Sequence, residues 1–367
     1  MTLDRRTVLT GATSAAAAAG LAGGVAHAAP PKGQIRIATE EAFSTTEHLR
    51  AMKKLVDSQP QVVRHDYRLY RMMTADLNAD TPKRLLDLEK IRLAEMDEYG
   101  VTMHLLSLTS PGVQLLPADI AVGVAASTND EMAEVIKRHP GRFAGLATVA
   151  PQDPAAAAKE IERAKTKLKL NGVMINSQTN NEYLDDKKYW PIFEAAEAHG
   201  MPIYIHPRSP SDQMIAPFQD YNMGSAFWGY GMETSTHFVR IMASGAFDRF
   251  PDLSIVLGHM GEAVHFWIWR LDYMARPGMS RGDTPMKRLP SEYLRRNLKI
   301  TTSGQENPDA LRYSIDTLGL WNVMWAIDYP YQETAGAVGF LDKAPITQPE
   351  RDAIYWQNAA RIFNIKL

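Results

Sequence analysis

Pro202-Ile203-Tyr204-Ile205-His206 is a short β-branched and aromatic run that ends on an imidazole. A helical pattern over residues 189–199 precedes it, and Gly200 stops that helix. Helix, glycine stop, apolar run and polar end together make one step of an alternating α/β chain. The same order recurs along the sequence. Gly172-Val173-Met174-Ile175-Asn176 follows an Ala/Lys/Glu-rich helical stretch over 154–168, and residues 143–149 follow another over 118–139. Residues 101–108 follow a helical stretch over 82–99 that Gly100 ends, and Ile35-Arg36-Ile37-Ala38-Thr39 opens the series. Downstream, Ser254-Ile255-Val256-Leu257-Gly258-His259, residues 298–303 and residues 323–328 read as further strands. Helical patterns over 233–244, 262–274, 308–317 and 349–362 fill the remaining gaps.

Eight strands alternating with helices predict an α/β protein of the (β/α)8 TIM-barrel class, built as a single domain. The competing architecture is a doubly wound open sheet, but no G-x-G-x-x-G follows the first strand to support a dinucleotide fold. Two connections, 43–81 and 207–232, exceed ordinary loop length and read as insertions over the C-terminal mouth of the barrel.

The first 28 residues are a different kind of sequence. Arg5-Arg6 precede a weakly apolar Ala/Gly/Leu/Val run that ends at Ala26-His27-Ala28, the layout of a twin-arginine export signal. The expected division is therefore 1–28 signal peptide and 29–367 barrel domain, with the mature chain periplasmic or secreted. No later segment has the roughly 18 apolar residues a membrane span needs, so no membrane contact is expected after cleavage.

Composition narrows the chemistry. A chain of 367 residues with 45% hydrophobic residues has the apolar surface for a large core. A formal net charge of −2 offers nothing to a polyanion, which removes nucleic acid from the expected partners. The absence of cysteine excludes disulfides, thiolate metal sites and a cysteine nucleophile. Any metal must be held by His, Asp or Glu.

The polar ends of four strands stand out. Glu40, His206, His259 and Asp328 each follow an apolar run and precede a turn-rich loop. In a barrel all four converge at the C-terminal mouth, where catalysis is built. Two carboxylates and an imidazole suit one divalent ion such as Zn²⁺, Mn²⁺ or Fe²⁺, with positions left open for water or substrate. Singly, each residue has a plainer role: a strand-end Asp caps helices and a strand-end His is commonly structural. Glu41 competes with Glu40, because neighbours on a strand point to opposite faces. His259 lies in Gly258-His259-Met260-Gly261-Glu262. An acid three residues on orients an imidazole and raises its pKa, which favours His259 as a general acid/base over a ligand. Arg270, two turns further on, suits an anionic substrate in this subunit or across a boundary. His237 and the remaining histidines read as structural.

The ordered set Ile37-Ala38-Thr39-Glu40-Glu41-Ala42-Phe43, Ser107-Leu108-Thr109-Ser110-Pro111-Gly112-Val113-Gln114, Tyr204-Ile205-His206-Pro207-Arg208, Leu257-Gly258-His259-Met260-Gly261-Glu262 and Ala326-Ile327-Asp328-Tyr329-Pro330 resembles the decarboxylase branch of the amidohydrolase superfamily. The likeness is nearest to the γ-resorcylate and 2,3-dihydroxybenzoate decarboxylases and extends to the aminocarboxymuconate-semialdehyde decarboxylases. It implies that Glu40, His206 and Asp328 ligate one divalent metal, Zn²⁺ or Mn²⁺ foremost. It implies that His259 and Glu262 form the acid/base pair, with Asp328 a second proton carrier, and that Arg270 contacts substrate. The His-x-His common after strand one of amidohydrolases is replaced by Glu40-Glu41-Ala42, and no lysine ends strand four, which argues against a binuclear centre.

The implied reaction is metal-dependent, non-oxidative decarboxylation of a hydroxylated aromatic carboxylic acid. The alternative is metal-dependent hydrolysis of a lactone, ester or amide, and a third reading is a non-catalytic exported binding protein. The expected partners are a small aromatic carboxylate and further copies of the chain in a homodimer or homotetramer.

Overall fold

The computed structural model describes residues 33–367; the export signal expected at 1–28 lies outside the described residues. Eight strands run in sequence order round one parallel sheet: β1 (Ile37–Phe43), β2 (Met103–Leu108), β3 (Phe143–Thr148), β4 (Gly172–Ile175), β5 (Ile203–Ile205), β6 (Ile255–Leu257), β7 (Leu298–Thr301) and β8 (Val323–Met324). Each strand pairs in parallel with the next, as a barrel with intervening helices requires.

Alternation sets the two faces. Ile37, Met103, Leu105, Leu146, Met174, Tyr204, Val256 and Met324 point inward and fill the barrel together with Phe363 and Ile365 from the C-terminus. Leu106, Val173, Ile175, Ile203, Ile205, Ile255, Leu257 and Ile300 point outward against the helices. Asn171, just before β4, donates to Phe363 O at 3.0 Å, so the C-terminal segment plugs the N-terminal end of the barrel. The opposite mouth is left to the loops.

The helices start where local chemistry satisfies their first N–H groups. Asp153 accepts from Ala156 N, and Asn307 accepts from Asp309 N and Ala310 N; each precedes a proline that suits the first turn. Asn129, fully buried in the helix Ala118–Arg138, exchanges two 2.8 Å hydrogen bonds with the Thr148 backbone and ties that helix to β3.

Three boundaries differ from the sequence expectation. The first strand extends to Phe43, so Glu40 sits within it. The last strand stops at Met324, four residues early. There the seam with β1 is made by isolated bonds: Thr39 N and Oγ1 donate to Trp325 O, and Ala42 N donates to Tyr329 O. The helix expected from 262 begins only at Ile268 and runs to Arg281, because residues 259–263 wind the other way. Of the insertions, 43–81 is largely helical (Thr46–Ser58, Pro60–Val63, Tyr67–Thr74), whereas 207–232 carries only short 3-10 turns before the helix Gly229–Ala243 begins. Among the described residues, no helix is long and apolar enough to cross a membrane.

Candidate metal centre and acid/base site

Glu40 on β1 is almost fully buried, and its two oxygens face different surroundings. Oε2 accepts from Tyr204 OH on β5, from Ser303 OH and, at 3.1 Å, from Thr301 Oγ1 on β7. Oε1 has no hydrogen-bond partner. Gly258 makes room for the carboxylate: a Cβ there would sit 2.6 Å from Glu40 Oε2. Glu41 turns the other way and accepts from the backbone of Ile327 and Tyr329.

His206 follows β5. Its Nδ1 lies 2.8 Å from Pro207 O, a pure acceptor, so Nδ1 carries a proton and Nε2 is left facing the ligand group. That Nε2 lies 3.5 Å from the orphaned Glu40 Oε1. Asp328 completes the group: one donor atom each from Glu40, His206 and Asp328 lie within 4.8 Å of one another. A buried carboxylate oxygen without a hydrogen-bond partner and an imidazole nitrogen facing it form a place a cation can fill. Two carboxylates and one imidazole suit a single divalent ion with open coordination positions. The hydrogen bonds behind the ligands, from His206 Nδ1 to Pro207 O and from the three hydroxyls to Glu40 Oε2, fix their orientation as outer contacts do in metal sites.

The strand β6 leads into an unusual turn. His259, Met260, Gly261, Glu262 and Ala263 all have left-handed backbone conformations, with φ between 49° and 67°. For the four that are not glycine this costs roughly 1–2 kcal/mol each. Strain of this kind persists where surrounding contacts impose it. Here Ser303 Oγ accepts from His259 N at 3.0 Å, Gly261 N donates to Gly258 O at 2.7 Å, and His259 Nδ1 lies 2.7 Å from Glu262 Oε1. Winding left-handed places residues three apart on one face, so Glu262 reaches back to the imidazole.

The other ring nitrogen of His259 faces the ligand group. Nε2 lies 3.7 Å from Asp328 Oδ2 and 3.9 Å from Glu40 Oε1. Burial disfavours the imidazolium, but the charges of Glu262 and Glu40 and the hydrogen bonds to Asp328 and Glu262 outweigh it and hold the ring well above its ordinary pKa. Burial also pushes the Asp328 carboxyl up, opposed by His259 and reinforced by Glu40. Asp328 has φ 75°, a fifth strained non-glycine residue at the same site. The pair can hold and pass a proton between an imidazole and a carboxylate.

Several contributors escaped the sequence reading. Tyr204 lies two residues before His206 and therefore on the same face of the strand, a legible signal. Thr301 and Ser303 alternate in the same way. Thr109 and Tyr331, whose hydroxyls lie 2.5 Å apart, join the loops after β2 and β8. Arg270 is exposed on the helix Ile268–Arg281 and has no hydrogen-bond or ionic partner among the described residues.

A second polar cluster imitates a nucleophilic triad without being one. Ser177 lies 3.2 Å from Glu233 and 3.3 Å from His237 Nδ1. Leu184 N donates to His237 Nε2 at 3.0 Å, so Nδ1 carries the proton and cannot accept one from Ser177. The cluster braces loops at the mouth.

A family model described as amidohydrolase matches residues 37–365. The γ-resorcylate decarboxylase of Polaromonas sp. is 34% identical over 339 residues, which cover 90% of this chain and 98% of that protein. The crystal structure of 5-carboxyvanillate decarboxylase from Sphingomonas paucimobilis superposes with TM-score 0.84 at 52% identity, covering 91% of this chain and 100% of that one. The 5-carboxyvanillate decarboxylase from Novosphingobium aromaticivorans, complexed with manganese and 4-hydroxy-3-methoxy-5-nitrobenzoic acid, superposes with TM-score 0.86 at 36% identity, covering 91% and 97%.

Proposed function

The chain belongs to the amidohydrolase family, and on that premise we propose that it is a metal-dependent, non-oxidative decarboxylase of a hydroxylated aromatic carboxylic acid. The observation that carries the reading is the meeting of Glu40 Oε1, His206 Nε2 and Asp328 beside the His259–Glu262 pair. Relatives named as decarboxylases of γ-resorcylate and 5-carboxyvanillate supply the substrate class.

Glu40, His206 and Asp328 hold one divalent ion, and manganese in the related structures makes Mn²⁺ the first choice. Such an ion supplies Lewis acidity toward the carboxylate and the adjacent phenol oxygen of the substrate. The protein moves the proton. Replacing the carboxylate requires a proton at the ring carbon that carries it. Asp328 Oδ2 and His259 Nε2, 3.7 Å apart beside the ligand group, are the two groups placed to deliver that proton. Glu262 holds the imidazole in one tautomer and balances its charge. Once carbon dioxide leaves, the ring regains aromaticity.

The same proposal covers assembly and address. Phe266 and Trp267, just before the helix that carries Arg270, and Trp269 and Tyr273 on it are exposed aromatic residues. A second copy covering them would form a homodimer, or a homotetramer, and carry Arg270 to an anionic substrate. The twin-arginine leader would direct the folded protein to the periplasm or beyond.

The test is a panel of ortho-hydroxybenzoates, including 2,6-dihydroxybenzoate and 5-carboxyvanillate, given to chain loaded with Mn²⁺. Stoichiometric carbon dioxide release from one member is the expected result. Turnover of a lactone or ester, with no carbon dioxide from any member, would overturn the reading in favour of hydrolysis.

A further inference from the structure

The second acid of the Glu40-Glu41 pair has no part in holding a metal, yet it is wholly buried. Its carboxylate bridges the seam between the first and last strands. Oε1 accepts from Ile327 N at 3.0 Å and from its own neighbour Glu40 N at 3.3 Å; Oε2 accepts from Tyr329 N at 3.2 Å. Ile327 and Tyr329 are the residues immediately before and after Asp328. One side chain therefore takes the N–H of the residue before Asp328 and of the residue after it, and Asp328 is the residue held at φ 75°. Buried N–H groups are costly to leave unpaired, so this two-point grip holds the 326–327 and 328–329 peptides and clamps the backbone before and after Asp328. Ala42 N donates to Tyr329 O at 2.8 Å and Arg92 Nη2 donates to Ala42 O at 2.5 Å, which anchors the grip to the strand and places a buried cation beside it.

We propose that Glu41 is a positioning residue: by binding the N–H groups of Ile327 and Tyr329 it holds Asp328 in its left-handed conformation and so aims that carboxylate at His206 and His259. The proposal rests on the role given to Asp328 above. It assigns separate tasks to adjacent acids. Glu40 offers an oxygen to the metal, and Glu41 aligns another ligand from the far side of the seam. Alternation along β1 is what allows one dipeptide to do both.

The test compares the full chain with Glu41→Gln, which keeps the shape, retains one acceptor oxygen and turns a donor toward one of the two N–H groups. Mn²⁺ affinity is measured by competition with a fluorescent chelator, alongside kcat and KM for the best substrate of the panel. Asn129→Ala, which removes a buried brace remote from the site, controls for general loss of stability. The expected result for Glu41→Gln is about 10-fold weaker Mn²⁺ binding and a kcat lowered by about 10–100-fold, with KM changed less than about threefold. The control should keep the wild-type Mn²⁺ affinity and kcat even where its thermal midpoint falls as far. If Glu41→Gln does not fold, Glu41→Asp, which keeps the charge and shortens the reach, should shift both quantities in the same direction. Unchanged affinity and kcat in a soluble Glu41 variant would overturn the inference alone. A wild-type chain that neither binds Mn²⁺ nor releases carbon dioxide would overturn the functional reading and this inference with it.

Discussion

Glu262 Oε1 lies 2.7 Å from His259 Nδ1 across a single left-handed turn. That contact fixes which ring nitrogen carries the proton and leaves Nε2 directed at Asp328 and Glu40. Glu262→Gln keeps the shape and removes the negative charge that supports the imidazolium. The expected outcome is a fall in kcat of about 100-fold with Mn²⁺ content unchanged. Steady-state kinetics and metal analysis of the purified variant check it.

Tyr204 carries one of three hydroxyls that pin Glu40 Oε2. Tyr204→Phe removes that donor and leaves the barrel packing nearly intact. Because contacts behind a ligand set its orientation, Mn²⁺ binding should weaken by about 10-fold or more. Competition titration reads the change directly, and an unaltered dissociation constant would contradict the assigned role.

The turn at residues 259–263 stores strain that glycine would relieve. Ala263 is exposed at φ 58°, so Ala263→Gly loses little packing and removes a left-handed penalty. A gain in stability of about 1 kcal/mol is expected, after allowance for the greater freedom of glycine in the unfolded chain. Chemical denaturation of the variant and the parent gives the difference.

Three structural histidines make the protein acid-sensitive. Burial pushes His48 and His265 down to about 4 and His237 down to about 3. Their unfolded forms take up a proton near pH 6.5, well before the folded forms do. Stability is therefore complete above pH 6.5 and is lost as pH falls toward 4, with each group contributing on the order of 3 kcal/mol. Thermal midpoints measured from pH 7.5 to 4.5 should fall. His265→Gln, which retains a donor toward Ser314 Oγ, should show a shallower fall than the parent.

The barrel was legible because each strand is a short apolar run bounded by helix and glycine, and all eight runs became strands. Boundaries failed where tertiary contacts replace the ladder. At β8 the seam is closed by Thr39, Glu41 and Ala42 through single bonds, a pattern without a sequence period. Glu40, His206, His259 and Asp328 could be singled out because polar residues ending apolar runs converge in a barrel. The left-handed turn could not be read. His259-Met260-Gly261-Glu262-Ala263 contains one glycine, and its local preference is for an ordinary helix; Ser303 and Glu262 impose the opposite hand. Tyr204 and Thr301 were not singled out, because the carboxylate they serve belongs to another strand.

One proton gained by the ring and one carboxylate lost from it distinguish decarboxylation from hydrolysis. The deciding measurement is turnover of an ortho-hydroxybenzoate in D₂O by chain loaded with Mn²⁺, with the product examined by mass spectrometry and NMR. The account predicts one carbon dioxide per product and one deuterium on the carbon that bore the carboxylate, with both lost in Asp328→Asn. A product that keeps its carboxylate and gains an oxygen from water, with no carbon dioxide released, would contradict it.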